Sequence, residues 1–237
     1  MYSGMGYGMG ALYDPTYILL IIGAVITMAA SGKVKSTFNK YKRVRSRSGM
    51  TGAQAAEQIL HSNGLYDVRV EHIAGDLTDH YDPRSRVLRL SDSVYGSTSV
   101  AAIGVAAHEC GHAVQDQVSY VPLKLRSAFV PVANLGSKAA WPLIIIGLFL
   151  GKNQTLVQIG ILCFSFAVLF QLITLPVEFN ASRRAVKILG TTGILQEDEV
   201  GHTKKVLSAA ALTYVASAAA GILSLLRLIL LFGRRND

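Results

Sequence analysis

The chain is 237 residues long, 51% hydrophobic and 16% charged, with a net charge of +8. A soluble domain usually carries about 25% charged residues, so this composition excludes an ordinary soluble domain. The apolar residues fall in blocks, as they do in membrane proteins.

Residues 1–14 are rich in Gly, Met and Tyr and read as a flexible tail. Residues 15–32 are the first expected transmembrane helix. Positive charge follows this block and does not precede it, which favours a retained anchor over a cleaved signal peptide. The run Lys33, Lys35, Lys40, Lys42, Arg43, Arg45 and Arg47 places that end in the cytoplasm and the N-terminus outside. Beside an apolar block, such a run marks topology and meets anionic lipid heads. No nucleic-acid motif accompanies it, so nucleic acid is not an expected partner.

Residues 33–120 read as a small cytoplasmic α+β domain. Thr51 caps a helix over 52–62, which Asn63-Gly64 ends. Val68, Val70 and His72 alternate with charged residues and suggest a strand. Asp82-Pro83-Arg84-Ser85 is a turn, and 86–90 is the return strand of a hairpin, with an edge that could take an extended peptide. Residues 121–176 read as a transmembrane hairpin of helices 2 and 3, turning at Gly151-Lys152-Asn153-Gln154. A polar segment, 177–205, follows. Residues 206–232 form transmembrane helix 4, interrupted by Arg227, and 233–237 are a tail.

Within the domain lies Ala106-Ala107-His108-Glu109-Cys110-Gly111-His112-Ala113-Val114. Ser99 to Val118 contains no proline and suits a helix. On a helix His108 and His112 sit one turn apart on one face, where two neutral imidazoles can hold Zn²⁺. Glu109 can then take a proton from a water at the metal. Cys110, inside this motif, and Cys163, inside an apolar block, suggest neither a disulfide framework nor a Cys-rich metal set.

A catalytic zinc site usually has three protein ligands, and no third His follows at 113–118. Glu178 is the first candidate. It heads a helix-compatible segment just past transmembrane helix 3. A membrane hairpin returns the chain to the side it left, so Glu178 and the His108 motif share one face. His202 is the second candidate. His72 and His80 lie on expected strands and read as ordinary strand residues.

The motif, with Leu77-Thr78-Asp79-His80-Tyr81-Asp82-Pro83 before it, resembles the YugP-type family of bacterial membrane zinc metallopeptidases. The site is also similar to that of the HtpX and CAAX-prenyl membrane proteases. Their zinc helix and membrane hairpin precede a Glu-x-x-x-Asp helix, whose Glu binds zinc. That resemblance implies Glu178 as the ligand. Ser182 stands where those families carry Asp, so the charged contact to a ligand His is replaced by a hydroxyl.

The expected fold is therefore an α-helical membrane protein with a small α+β zincin-like catalytic domain and about four transmembrane helices. The expected function is a membrane-anchored zinc endopeptidase whose site faces the cytoplasm. Zn²⁺ is held by His108, His112 and Glu178, and Glu109 is the base. Peptides or membrane proteins are the substrates, and the lipid bilayer is the other partner. His202, Tyr214 and Arg183 are candidate donors to the oxyanion. Two other readings are weaker. An intramembrane site-2-type protease would need an Asp in a later span, and 155–176 and 206–232 contain none. A scaffold with structural zinc has no use for Glu109.

Overall fold

The computed structural model describes residues 14–150 and 153–233. Their elements are α1 (Tyr17–Tyr41), α2 (Gly52–Ser62), β1 (Arg69–Ile73), β2 (His80–Asp82), β3 (Val87–Ser91), α3 (Val100–Gln117), α4 (Val121–Phe149), α5 (Gln154–Thr191) and α6 (Glu197–Phe232). The expected tails fall outside the described residues except for Asp14 and Gly233, as do Gly151 and Lys152 of the expected turn. The helices α1, α4, α5 and α6 are each long and apolar enough to cross a membrane.

These helices outrun the apolar blocks. The basic residues Lys33 to Lys40 continue α1, because Lys is a good helix former and no proline stops the chain. Residues 177–205 are likewise not a separate segment. They are the end of α5, a turn with Gly193 at φ 67°, and the start of α6. At 38 residues, α5 is about 57 Å long, well beyond a bilayer's hydrocarbon core.

The chain forms two units. The first comprises the described parts of Met1–Ala29, Val130–Gln171 and Ala216–Asp237. Inside it, α4 and α5 approach closely: a Cβ on Gly136 would lie 2.6 Å from the Cys163 carbonyl oxygen. Small residues at such contacts are how apolar helices pack in lipid. Arg227 on α6 pairs with Asp14 at 3.2 Å and lies 4.4 Å from the centre of the Tyr17 ring. The charge that interrupts the last apolar block is thus compensated. Gln154 donates to the Phe232 carbonyl at 2.7 Å, so the start of α5 and the end of α6 meet at that same end.

The second unit, Ala30–Phe129 and Leu172–Val215, carries every residue of the candidate site. Its core is α3 against α2. Thr51 and Gln54 form the capping box of α2, and Ser99 caps α3 by accepting from Ala102 N–H. Nearly all of α3 is buried, as its apolar, alanine-rich surface requires. The sheet order is β1-β3-β2, with β1 and β3 parallel and β2 and β3 an antiparallel hairpin. This corrects one expectation. The strand at 86–90 is central and bonded on both sides, so it has no free edge. Val87, Leu88 and Leu90 are fully buried. The edge strand beside α3 is β2.

Candidate metal centre

On α3 the His108 and His112 rings lie at 85° with centroids 4.8 Å apart. Glu178 reaches them from α5. Its Oε2 lies 3.2 Å from His108 Nε2 and 3.5 Å from His112 Nε2. Ligand atoms of the three residues all fall within 4.8 Å of one another, and among the described residues they form a group able to hold a metal ion. A backbone contact allows the approach: a Cβ on Gly111 would come 2.7 Å from the Ala181 carbonyl oxygen, so only glycine lets α3 and α5 lie this close.

Neighbouring side chains aim the two imidazoles. Gln115 is fully buried, and its Nε2 donates to the Val177 carbonyl at 2.8 Å and to Asn180 Oδ1 at 3.0 Å. A carbonyl can only accept, so the other end of the amide, Oε1, must be what meets His112 Nδ1 at 3.0 Å. His112 Nδ1 therefore carries its proton, and the lone pair of Nε2 points at Glu178. Ser182 Oγ lies 3.1 Å from His108 Nδ1 and holds the orientation of that ring, its hydroxyl being able to accept from or donate to the nitrogen. Such partners fix the tautomer and orientation of metal-binding histidines. Arg126, on α4, donates to the second oxygen of Glu178 at 3.1 Å.

The electrostatics also suit a cation. Burial pulls the His112 pKa down, yet the Glu178 carboxylate and Glu109 beside it leave it raised. The donor set of two imidazole nitrogens and one carboxylate oxygen, with a cleft on one side, fits a catalytic rather than a closed structural zinc site.

Glu109 is buried next to this group. Burial raises its pKa, His108 and His112 lower it, and Glu178 and Asp79 raise it further; the net direction is up. A carboxyl so tuned is a better base near neutral pH. Its Oε2 accepts from Tyr81 N–H at 3.1 Å, on the edge of β2 that β3 leaves free. The Tyr81 hydroxyl donates to Asp116 at 3.0 Å and pins β2 to the end of α3. A cavity of about 250 Å³ opens on the site, lined by His108 and Glu109 with Leu77, Asp79, Ser182 and Tyr214. Asp79 accepts from Ser91 N–H and Oγ at 2.8 and 2.9 Å, which shapes the loop that carries Leu77.

Residues 16–233 match the family described as "putative neutral zinc metallopeptidase". The chain belongs to that family. A protein of Bacillus subtilis (strain 168) named "Putative membrane protease YugP" is 52% identical over 222 residues, which are 93% of this chain and 98% of that protein. No solved structure matches. The resemblance carried by residues 77–120 is thereby borne out.

The structure also sorts the other candidates. His202 packs its ring on Tyr41 at 4.9 Å and does not line the cavity. His72 pairs with Asp92 at 2.6 Å, and His80 Nδ1 meets the Thr78 carbonyl at 2.9 Å; neither is at the site. Of the three expected oxyanion donors, Tyr214 lines the cavity, while Arg183 lines a separate groove. Cys110 is free and buried, with its thiol pKa pushed up by burial. The sequence pattern singles out neither Gln115 nor Arg126. Gln115 differs from the polar residues Asp116 and Gln117 that follow it only in lying three places after His112, one helical turn on. Arg126 leaves no signal, because 52 residues separate it from Glu178.

Proposed function

We propose that the chain is a membrane-anchored, zincin-like zinc endopeptidase that hydrolyses peptide bonds at the cytoplasmic membrane surface. The observation that carries this is the convergence of His108, His112 and Glu178 beside a buried Glu109 at an open cavity. The three residues hold Zn²⁺, with Gln115, Ser182 and Arg126 orienting them. When bound, the metal acidifies water and polarises a carbonyl. Glu109 takes the proton of the attacking water and passes it to the leaving amine. Tyr214, whose hydroxyl is hydrogen-bonded to Glu178, lines the cavity and can turn that proton to the oxyanion that develops on the scissile carbonyl.

Orientation follows from charge. The basic run from Lys33 to Arg47 lies in the same unit as the site, and basic flanks stay cytoplasmic. Substrates are peptides or membrane proteins reaching that surface, and the lipid bilayer is the other partner.

The test is Glu109→Gln in detergent-purified protein. Gln keeps the shape but cannot take the proton. Zinc content should be unchanged and hydrolysis of a denatured protein mixture lost. Chelation should abolish wild-type turnover, and zinc should restore it. Normal turnover by the variant removes Glu109 from the reaction.

A further inference from the structure

Next to the metal site, α5 and α6 enclose a groove of about 460 Å³. Its floor is apolar, made by Phe179 and Val186 of α5 and Leu207, Leu212 and Val215 of α6. Its charged residues are all basic: Arg183 and Lys187 from α5 and Lys204 from α6. The three are exposed, and no ion pair among the described residues engages them.

The charges are graded along the groove. The two helices run antiparallel through the turn at 192–196, so Lys187 and Lys204 share the end near that turn. Phe179, Leu212 and Val215 share the other end. Eight residues separate Phe179 from Lys187 and eleven separate Lys204 from Val215. At helical rise the groove is thus about 12–16 Å long, room for about four residues of extended chain. Ser182, Leu207 and Ala211 line both this groove and the metal-site cavity. Ser182 is also the residue that meets His108 Nδ1.

We infer that this groove selects the substrate: a chain with apolar residues beside the scissile bond and acidic residues about three to four positions away, held by Arg183, Lys187 and Lys204. The inference rests on the peptidase reading and names its substrate class. Charge complementarity sets the sign, since the rim offers three unpaired cations and no anion. The apolar floor sets the spacing, since the acidic side chains must pass it to reach Lys187 and Lys204. The length of the groove favours a peptide over a lipid, whose head would sit at the bilayer surface and not 12–16 Å along a helix.

The experiment uses zinc-loaded Glu109→Gln protein in nanodiscs of zwitterionic lipid. Two fluorescent peptides share an apolar centre and carry either Glu or Lys at the distal positions. The Glu peptide should bind about tenfold more tightly, the scale of two or three exposed ion pairs acting together. Arg183→Glu with Lys187→Glu should reverse that order, and Lys205→Glu, outside the groove, should not. Equal binding of both peptides, or no reversal, overturns the inference. So does a preference that vanishes when anionic lipid enters the nanodisc and returns when it is removed, because the groove then holds lipid. Wild-type cleavage separates the two readings. Cleavage of both peptides at equal rates keeps the peptidase and refutes the groove. Selective binding with no cleavage keeps the groove's ligand and refutes the peptidase.

Discussion

Gln115 gives the most discriminating perturbation of the metal centre. Gln115→Leu keeps volume and apolar packing but removes both ends of the amide. The three groups it served are not affected equally. The Val177 carbonyl lies within α5 and keeps its helical bonding there, and Asn180 Oδ1 still accepts from Arg184 Nε at 2.8 Å. His112 Nδ1–H is the group left without a partner in a buried site. A buried donor so orphaned costs about 1–3 kcal/mol, and the ring is freed to turn. Removing such an orienting partner typically lowers metal affinity about 10–100-fold. Gln115→Glu separates the two effects. Its carboxylate still accepts from His112 Nδ1 but faces the Val177 carbonyl with an oxygen in place of a donor. Zinc affinity should stay at or above wild type while thermal stability falls. Chelator competition gives affinity, and a melting curve in detergent gives stability. If Gln115→Leu binds zinc as tightly as wild type, the amide does not orient the ligand.

Glu178→Ala should lower zinc occupancy sharply in folded, extracted protein, whereas His202→Ala should leave it intact; the reverse result would make His202 the third ligand. Gly111→Ala should destabilise the fold by about 1–3 kcal/mol in a denaturation assay, because its Cβ would press on the Ala181 carbonyl at 2.7 Å. Topology is readable by labelling with an impermeant thiol reagent in intact cells. A cysteine at Asn153 should react and one at Ser85 should not, and the opposite pattern would turn the site to the outer face.

The sequence carries the site's local half. A four-residue spacing on a helix is a local property, so the order of residues alone puts His108 and His112 on one face with Glu109 beside them. Glu178 needs topology as well, since it joins them only after a hairpin of helices. The cap at Thr51 and the turn at Asp82-Pro83 are legible for the same local reason. Strand order is not, because alternation looks alike in parallel and antiparallel ladders. The one sign is Val87-Leu88, two adjacent apolar residues, which a strand covered on both faces tolerates and a half-exposed edge does not. The extent of the helices escapes the sequence reading because hydropathy reports where lipid ends, whereas a helix ends where its bonding does.

The Arg227–Asp14 contact bears on how the molecule is assembled. A nascent chain delivers Asp14 first and Arg227 more than two hundred residues later. Until then neither charge has the other, and α6 presents an arginine to the bilayer inside an otherwise apolar segment. Settling of the last helix is therefore coupled to a carboxylate laid down at the very start of synthesis, just ahead of α1. Loss of the segment that carries Asp14, just ahead of α1, would leave Arg227 of α6 without its counter-ion.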